Sequence, residues 1–263
     1  MTPVQPLRIV TALACAVVTA TNAGAQGKLV TGIDVLEQMR QKYHGGWFHT
    51  LRFTQKTTLA GRAGAAPTIQ TWYETLSFTA PAGAALRIDV ANLADGNGSL
   101  STADSTWVLH GAKVIQTTGS GNPFIPLIEN VYLQPIAMTV RQLSPLHVDL
   151  HQLTEGTWEG RPAWVVGVAT VTDSTTPQFW IDKERLILIR MVINLAASGP
   201  PYDIRLGNLV ETGGGWLATK VTMLRGGVAR QTEEYADWKT NVKLDPKLFD
   251  PATWSTATHW MKQ

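Results

Sequence analysis

One change of period constrains this 263-residue chain more than any other feature. From Thr31 to Tyr43 the side chains Ile33, Leu36, Met39 (or Arg40) and Tyr43 recur at helical spacing and give one apolar stripe. Thr31 is placed to cap that helix, with Asp34 three residues on to complete a capping box. Gly45-Gly46 supplies the stop. From Trp47 to Thr58 the period then drops to two, with Trp47, His49, Leu51 and Phe53 on one side and Phe48, Thr50, Arg52 and Thr54 on the other. That is strand geometry, and almost everything downstream reads as strand and turn.

Further strands are expected at Gln70–Thr79, Ala85–Val90, Thr106–His110, Lys113–Thr117, Leu146–Leu153, Arg161–Val171, Gln178–Asp182, Leu186–Ile193, Tyr202–Glu211, Gly215–Arg225 and Val228–Ala236. His110-Gly111-Ala112 and Arg225-Gly226-Gly227 read as hairpin turns. Residues 119–145 break the pattern: a turn-rich stretch from Gly119 to Pro126 leads into helical promise at Ile125–Tyr132 and Pro135–Leu143. The expected class is mainly β (α+β), built on a large antiparallel curved sheet. Such a sheet curls until it closes or leaves a concave face to be covered. The N-terminal helix and the 119–145 insert, placed as a lid, are the available covers.

The first residues fit a secretory signal: Arg8, then the apolar run Ile9 to Ala20, then Ala23-Gly24-Ala25. Cleavage is expected between Ala25 and Gln26, leaving residues 26–263 as a single soluble domain outside the cytoplasm. Cys15 invites a lipoprotein reading, but Leu13 sits one position too close to it. Cys15 is the chain's only cysteine, so the mature protein has no disulfide and must rely on an ordinary core. Losing Arg8 takes the formal charge from +2 to +1, which steers the protein toward neither nucleic acid nor an anionic membrane. Only 16% of residues are charged, while there are ten tryptophans, and that excess of apolar area points to an apolar binding surface.

The residues offer little chemistry. On a strand, His147, Asp149 and His151 would share one face, but same-face neighbours lie about 6.6 Å apart at Cα and converge poorly on one ion. A solvated strand face is the expectation, with no metal and no cofactor. No Gly-x-Ser-x-Gly elbow is present, and the mature chain has no thiol. Glu74, Glu129, Asp182 and Glu211 could include a carboxylate pair, but their spacing singles none out. No catalytic residue is expected. Phe53, Trp72, Leu86, Ile88, Trp107, Trp180, Met191, Trp216 and Met223 are the candidate lining of an apolar cavity, with Phe124, Ile128 and Tyr132 from the lid.

Several stretches in order carry a resemblance. They are Asp34-Val35-Leu36-Glu37 leading to Leu51-Arg52-Phe53-Thr54-Gln55; Pro81 followed by Leu86-Arg87-Ile88-Asp89; Asn122-Pro123-Phe124-Ile125-Pro126-Leu127-Ile128; Gln178-Phe179-Trp180-Ile181-Asp182-Lys183; and Tyr235 to Asp245 with Leu248-Phe249-Asp250-Pro251. Together they resemble the outer-membrane lipoprotein-sorting proteins, whose fold is that of the soluble carriers LolA and LolB. The resemblance implies an open half-barrel covered by helices, acyl chains held in an apolar cavity, and a periplasmic carrier of lipid or lipoprotein; a monomer is expected. The carriers place an arginine just before the proline that opens the next strand, where it latches the lid. Here Ala80 precedes Pro81, so that latch does not carry over, and a simpler lipid or lipopeptide binder stands beside a lipoprotein shuttle. The alternative is a regulatory or assembly partner that senses lipoprotein and binds an envelope membrane protein.

Overall fold

The computed structural model describes residues 29–61, 64–78, 83–102, 104–195 and 198–262. The expected signal segment, residues 1–25 with Cys15, and the Ala80-Pro81 pair lie outside the described residues. Helix α1 (Gly32–Tyr43) starts at a true capping box: the Asp34 N–H donates to Thr31 Oγ1 at 3.3 Å, and Asp34 Oδ2 accepts from the Thr31 N–H at 2.9 Å. Two orphan donors of the first turn are thereby satisfied.

Strands β1 (Thr50–Leu59), β2 (Thr68–Ser77), β3 (Ala85–Val90), β4 (Gly98–Ser101), β5 (Thr106–His110) and β6 (Lys113–Thr118) form an antiparallel meander. The insert follows as a π-helical turn (Pro126–Asn130), α2 (Val131–Leu133) and α3 (Ile136–Leu143). A second meander runs through β7 (Leu153–Trp158), β8 (Arg161–Val166), β9 (Gln178–Asp182), β10 (Leu188–Ile193), β11 (Tyr202–Thr212), β12 (Gly215–Arg225) and β13 (Val228–Thr240). Strand β13 pairs antiparallel with β1, so the thirteen strands among the described residues join into one curved, unclosed sheet with β6 and β7 as its edges. The insert joins those opposite edges and must therefore cross a face of the sheet. It crosses the concave one.

Over β8 to β10 that concave face is solid. The Gly32 N–H donates to the Leu150 carbonyl at 2.7 Å, and a Cβ on Gly32 would stand 2.3 Å from Val166 Cγ1. Only glycine permits this approach of α1 to β8. Val35, Leu36 and Met39 of α1 are wholly buried in the main core, as are Phe179, Ile181 and Met191. Tyr43 donates through its hydroxyl to the Arg185 carbonyl at 2.5 Å, and Arg40 Nε donates to the Gln134 carbonyl at 3.0 Å, tying α1 to the sheet and to the insert.

The convex face of β2 to β5 is sealed by the C-terminal tail. Arg87 is buried and forks onto both oxygens of Asp89 at 2.7 Å, donates to the Trp254 carbonyl at 3.1 Å, and lies 3.7 Å over the Trp254 ring. Trp260 Nε1 donates to Thr75 Oγ1 at 2.8 Å. A guanidinium paired bidentately and stacked on an aromatic face is satisfied without water.

Four sequence expectations are corrected. Leu146–Leu153 is not a strand: His147 has a left-handed backbone (φ 55), and the Gln152 N–H closes a turn on the Asp149 carbonyl at 3.1 Å. The strand face proposed for His147, Asp149 and His151 therefore does not exist. The strand beginning at Arg161 stops at Val166, because Gly167 takes φ 111. Strands Gly98–Ser101 and Leu153–Trp158 were not expected; the first is short and small in side chain, the second carries Gly156. At Gly156 a Cβ would stand 2.9 Å from the Trp180 ring.

Candidate ligand cavity

Away from α1 the concave face stands clear of its cover and encloses a cavity of about 210 Å³. Period-two alternation decides its walls. On β1, β2 and β3 the residues Phe53, Trp72, Leu86 and Ile88 point into it, while Tyr73, Thr75 and Arg87 belong to the opposite face with the tail. Trp216 and Met223 line it from β12, and Leu206 and Leu209 from β11. Phe124, Ile128 and Tyr132 of the insert close it from above.

Three candidate lining residues lie elsewhere. Trp107 packs on the convex side against the cluster of Ala85, Leu100, Leu109 and Trp254. Trp180 stands edge-on to Trp158 and under the Arg190 guanidinium, 5.1 Å from its ring centre. Met191 is buried in the solid core, in register with Phe179 and Ile204. The reason is register: each sits one residue out of phase with the cavity face, or under α1 instead of under the insert.

An aromatic clasp separates the solid region from the cavity. Trp47 stacks on Tyr132 at 3.7 Å and 19°, and Tyr43 meets both rings edge-on. Trp47 is held there because Gly214 (φ 82) packs on Gly46; a Cβ at Gly214 would stand 2.0 Å from the Gly46 carbonyl oxygen. Thus the two glycine runs, at the end of α1 and in the β11–β12 turn, meet.

The polar members of the wall are carboxylic acids, with Gln231, Asn122 and Tyr235 beside them. Among the described residues that line it, none is Lys, Arg or His. Glu129 lies on the π-helical turn, 3% exposed, and accepts from Trp47 Nε1 at 3.0 Å. Burial lifts its carboxyl well above the usual range, against that one hydrogen bond. Glu233 accepts from Gln231 Nε2 at 2.6 Å and the Tyr235 hydroxyl at 2.7 Å; burial still raises it. Glu74 is 6% exposed and has no hydrogen-bond partner among the described residues. Burial first, and the Glu233 charge second, push its carboxyl well above the ordinary range.

Of the four acids weighed from sequence, Glu74 and Glu129 meet in this cavity. Asp182 lies elsewhere, bound to Arg161 Nε at 2.7 Å, and Glu211 is exposed. Glu233 and Tyr235 were missed. The available signal was period two: Gln231, Glu233 and Tyr235 fall on one face of β13, and Glu74 falls between Trp72 and Leu76 on the apolar face of β2.

No family model and no curated protein sequence matches this chain. Solved structures do match in fold. A putative outer membrane lipoprotein-sorting protein domain from Vibrio parahaemolyticus superposes with a TM-score of 0.58 at 9% identity, over 85% of this chain and 98% of that one. A DUF1329 family protein from Desulfovibrio piger gives 0.57 at 14%, over 85% and 97%. A LolA superfamily protein from Nitrosomonas europaea gives 0.51 at 12%, over 84% and 98%. The chain therefore has the open half-barrel fold of the LolA-like lipoprotein-sorting domains, as the motif resemblance implied.

Proposed function

We propose that this chain, after removal of residues 1–25, is a single-domain monomer in the periplasm that holds the acyl chains of a lipid or lipoprotein in the half-barrel cavity and carries them without catalysis. The observation that supports this reading is the cavity itself, whose wall is apolar on strands from both meanders and whose roof is the insert. Each methylene buried there contributes about 0.8 kcal/mol, so even a partly enclosed chain binds usefully. The names of the fold relatives agree with a role in lipoprotein sorting.

The test is extraction. Protein matured in a Gram-negative envelope and purified without detergent is expected to release acyl-bearing species, in near-stoichiometric amount, to mass spectrometry of organic extracts. Delipidated protein is expected to take up diphenylhexatriene, a neutral apolar fluorophore. Extracts without acyl species, together with no uptake of the fluorophore, would overturn the proposal.

A further inference from the structure

The cavity carries a chemical bias that an acyl-chain site does not need. Three carboxyl groups, Glu74, Glu129 and Glu233, face a space bounded mostly by hydrocarbon and aromatic rings, with no cationic side chain among the described residues of its wall. Glu129 and Glu233 have protein donors. Glu74 has none among the described residues, although it is 6% exposed. Independently, Gln55 is 0% exposed on the concave face of β1, between Trp72 of β2 and Tyr235 of β13, both cavity residues. Its Nε2 donates to Thr57 Oγ1 at 2.8 Å, while its Oε1 is an acceptor with no partner among the described residues.

A buried polar atom without a partner is costly, and a buried acid in a hydrocarbon setting more so. Burial favours the neutral acid of Glu74, and a cation placed beside it restores the carboxylate as an acceptor. A ligand that brings N–H or O–H donors satisfies the acceptor oxygens of Glu74, and a cationic donor also stabilises the carboxylate form that burial disfavours. A carboxylate or phosphate entering the same space finds no cation among the described lining residues, and burying it unpaired at low dielectric is costly.

Resting on the acyl-carrier reading, we propose that the cavity selects amphiphiles whose polar end carries hydrogen-bond donors and no negative charge, an amine above a hydroxyl, with Glu74 as the group that receives it. The test compares dodecylamine, dodecanol and dodecanoate, all below their micelle concentrations, as displacers of diphenylhexatriene from the delipidated full mature protein at pH 7. The amine is expected to displace at about tenfold lower concentration than the carboxylate, with the alcohol between them. Glu74→Gln is expected to shrink the amine preference severalfold while the alcohol is little affected.

Equal potency of the three, or a preference for dodecanoate, overturns the selectivity and leaves acyl binding standing. Failure of the fluorophore itself to bind overturns the acyl reading instead. An undiminished amine preference in folded Glu74→Gln overturns the role of Glu74. Glu233→Gln serves as the second variant: it too is expected to reduce the amine preference, since it removes neighbouring charge from the same space, and an unchanged preference in both variants overturns the proposal.

Discussion

Over β8 to β10 the concave face is filled by α1, whereas over β1 to β3 and β11 to β13 it stays hollow beneath the insert. Both regions are walled mainly by aliphatic and aromatic side chains, so hydrophobicity alone does not separate them. The cover does. Helix α1 offers a continuous stripe and a glycine that lets backbone meet strand, and it packs to contact. The insert offers a π-helical turn and two short helices, and the Trp47–Tyr132 stack holds it off the strands. A solid core does not tolerate an unpartnered carboxyl. Glu74 therefore marks the hollow region as a place completed by something other than this chain's own side chains.

Truncating one leucine in each region gives the largest test of that contrast. Leu36→Ala, in the solid region, is expected to lower the unfolding free energy by about 4 kcal/mol, combining lost transfer energy with a new cavity. Leu86→Ala, facing space that is already empty, is expected to cost about 2 kcal/mol, near the transfer part alone. Urea denaturation of the delipidated proteins measures both. Equal losses would break the distinction between filled and hollow.

Enlarging a side chain reverses the sense of the test, with smaller effects. Gly32→Ala puts a methyl 2.3 Å from Val166 Cγ1 and 3.2 Å from the Leu150 carbonyl oxygen, so about 1–3 kcal/mol is expected to be lost. Ile88→Phe extends into the cavity and is expected to cost less than about 1.5 kcal/mol while reducing fluorophore uptake. An Ile88→Phe protein that unfolds as readily as Gly32→Ala would mean that the cavity closes in solution.

The capping box at Thr31, the glycine stop and most strands could be read directly, because each depends on a local rule of spacing or backbone freedom. The lid was legible for another reason: Pro and helical spacing interrupt a strand-and-turn sequence there. Which face each strand buries was less accessible. Trp107 and Trp180 have the composition of cavity residues but point to the convex side, where Trp254 and Arg190 await them. Those partners lie about 150 residues away from Trp107 in one case and on the next strand in the other, so no local pattern assigns the face. The π-helical turn that brings Glu129 under Trp47 is likewise set by tertiary contact, not by its own residues.

The last test concerns pH, and it separates the carboxyls of the hollow region from those on the other side of the sheet. Glu74 holds its proton more tightly folded than unfolded, because burial and then the Glu233 charge disfavour its anion. Between the ordinary glutamate range near 4.5 and its raised folded value, the folded chain binds more protons than the unfolded chain. Stability therefore falls as pH rises through that window, by at most about 1.4 kcal/mol per pH unit for one group. Asp89 and Asp203 act oppositely: burial raises them, but hydrogen bonds from Arg87 and Arg190 outweigh it, so their contribution is lost as pH falls through their lowered values. Glu74→Gln is accordingly expected to flatten the decline that sets in above the ordinary glutamate range and to leave the acid limb unchanged. Unfolding free energies of the delipidated wild type and variant across that window measure it. Parallel curves would show that Glu74 titrates alike in the folded and unfolded chains, and the hollow region would then be as well solvated as the protein surface.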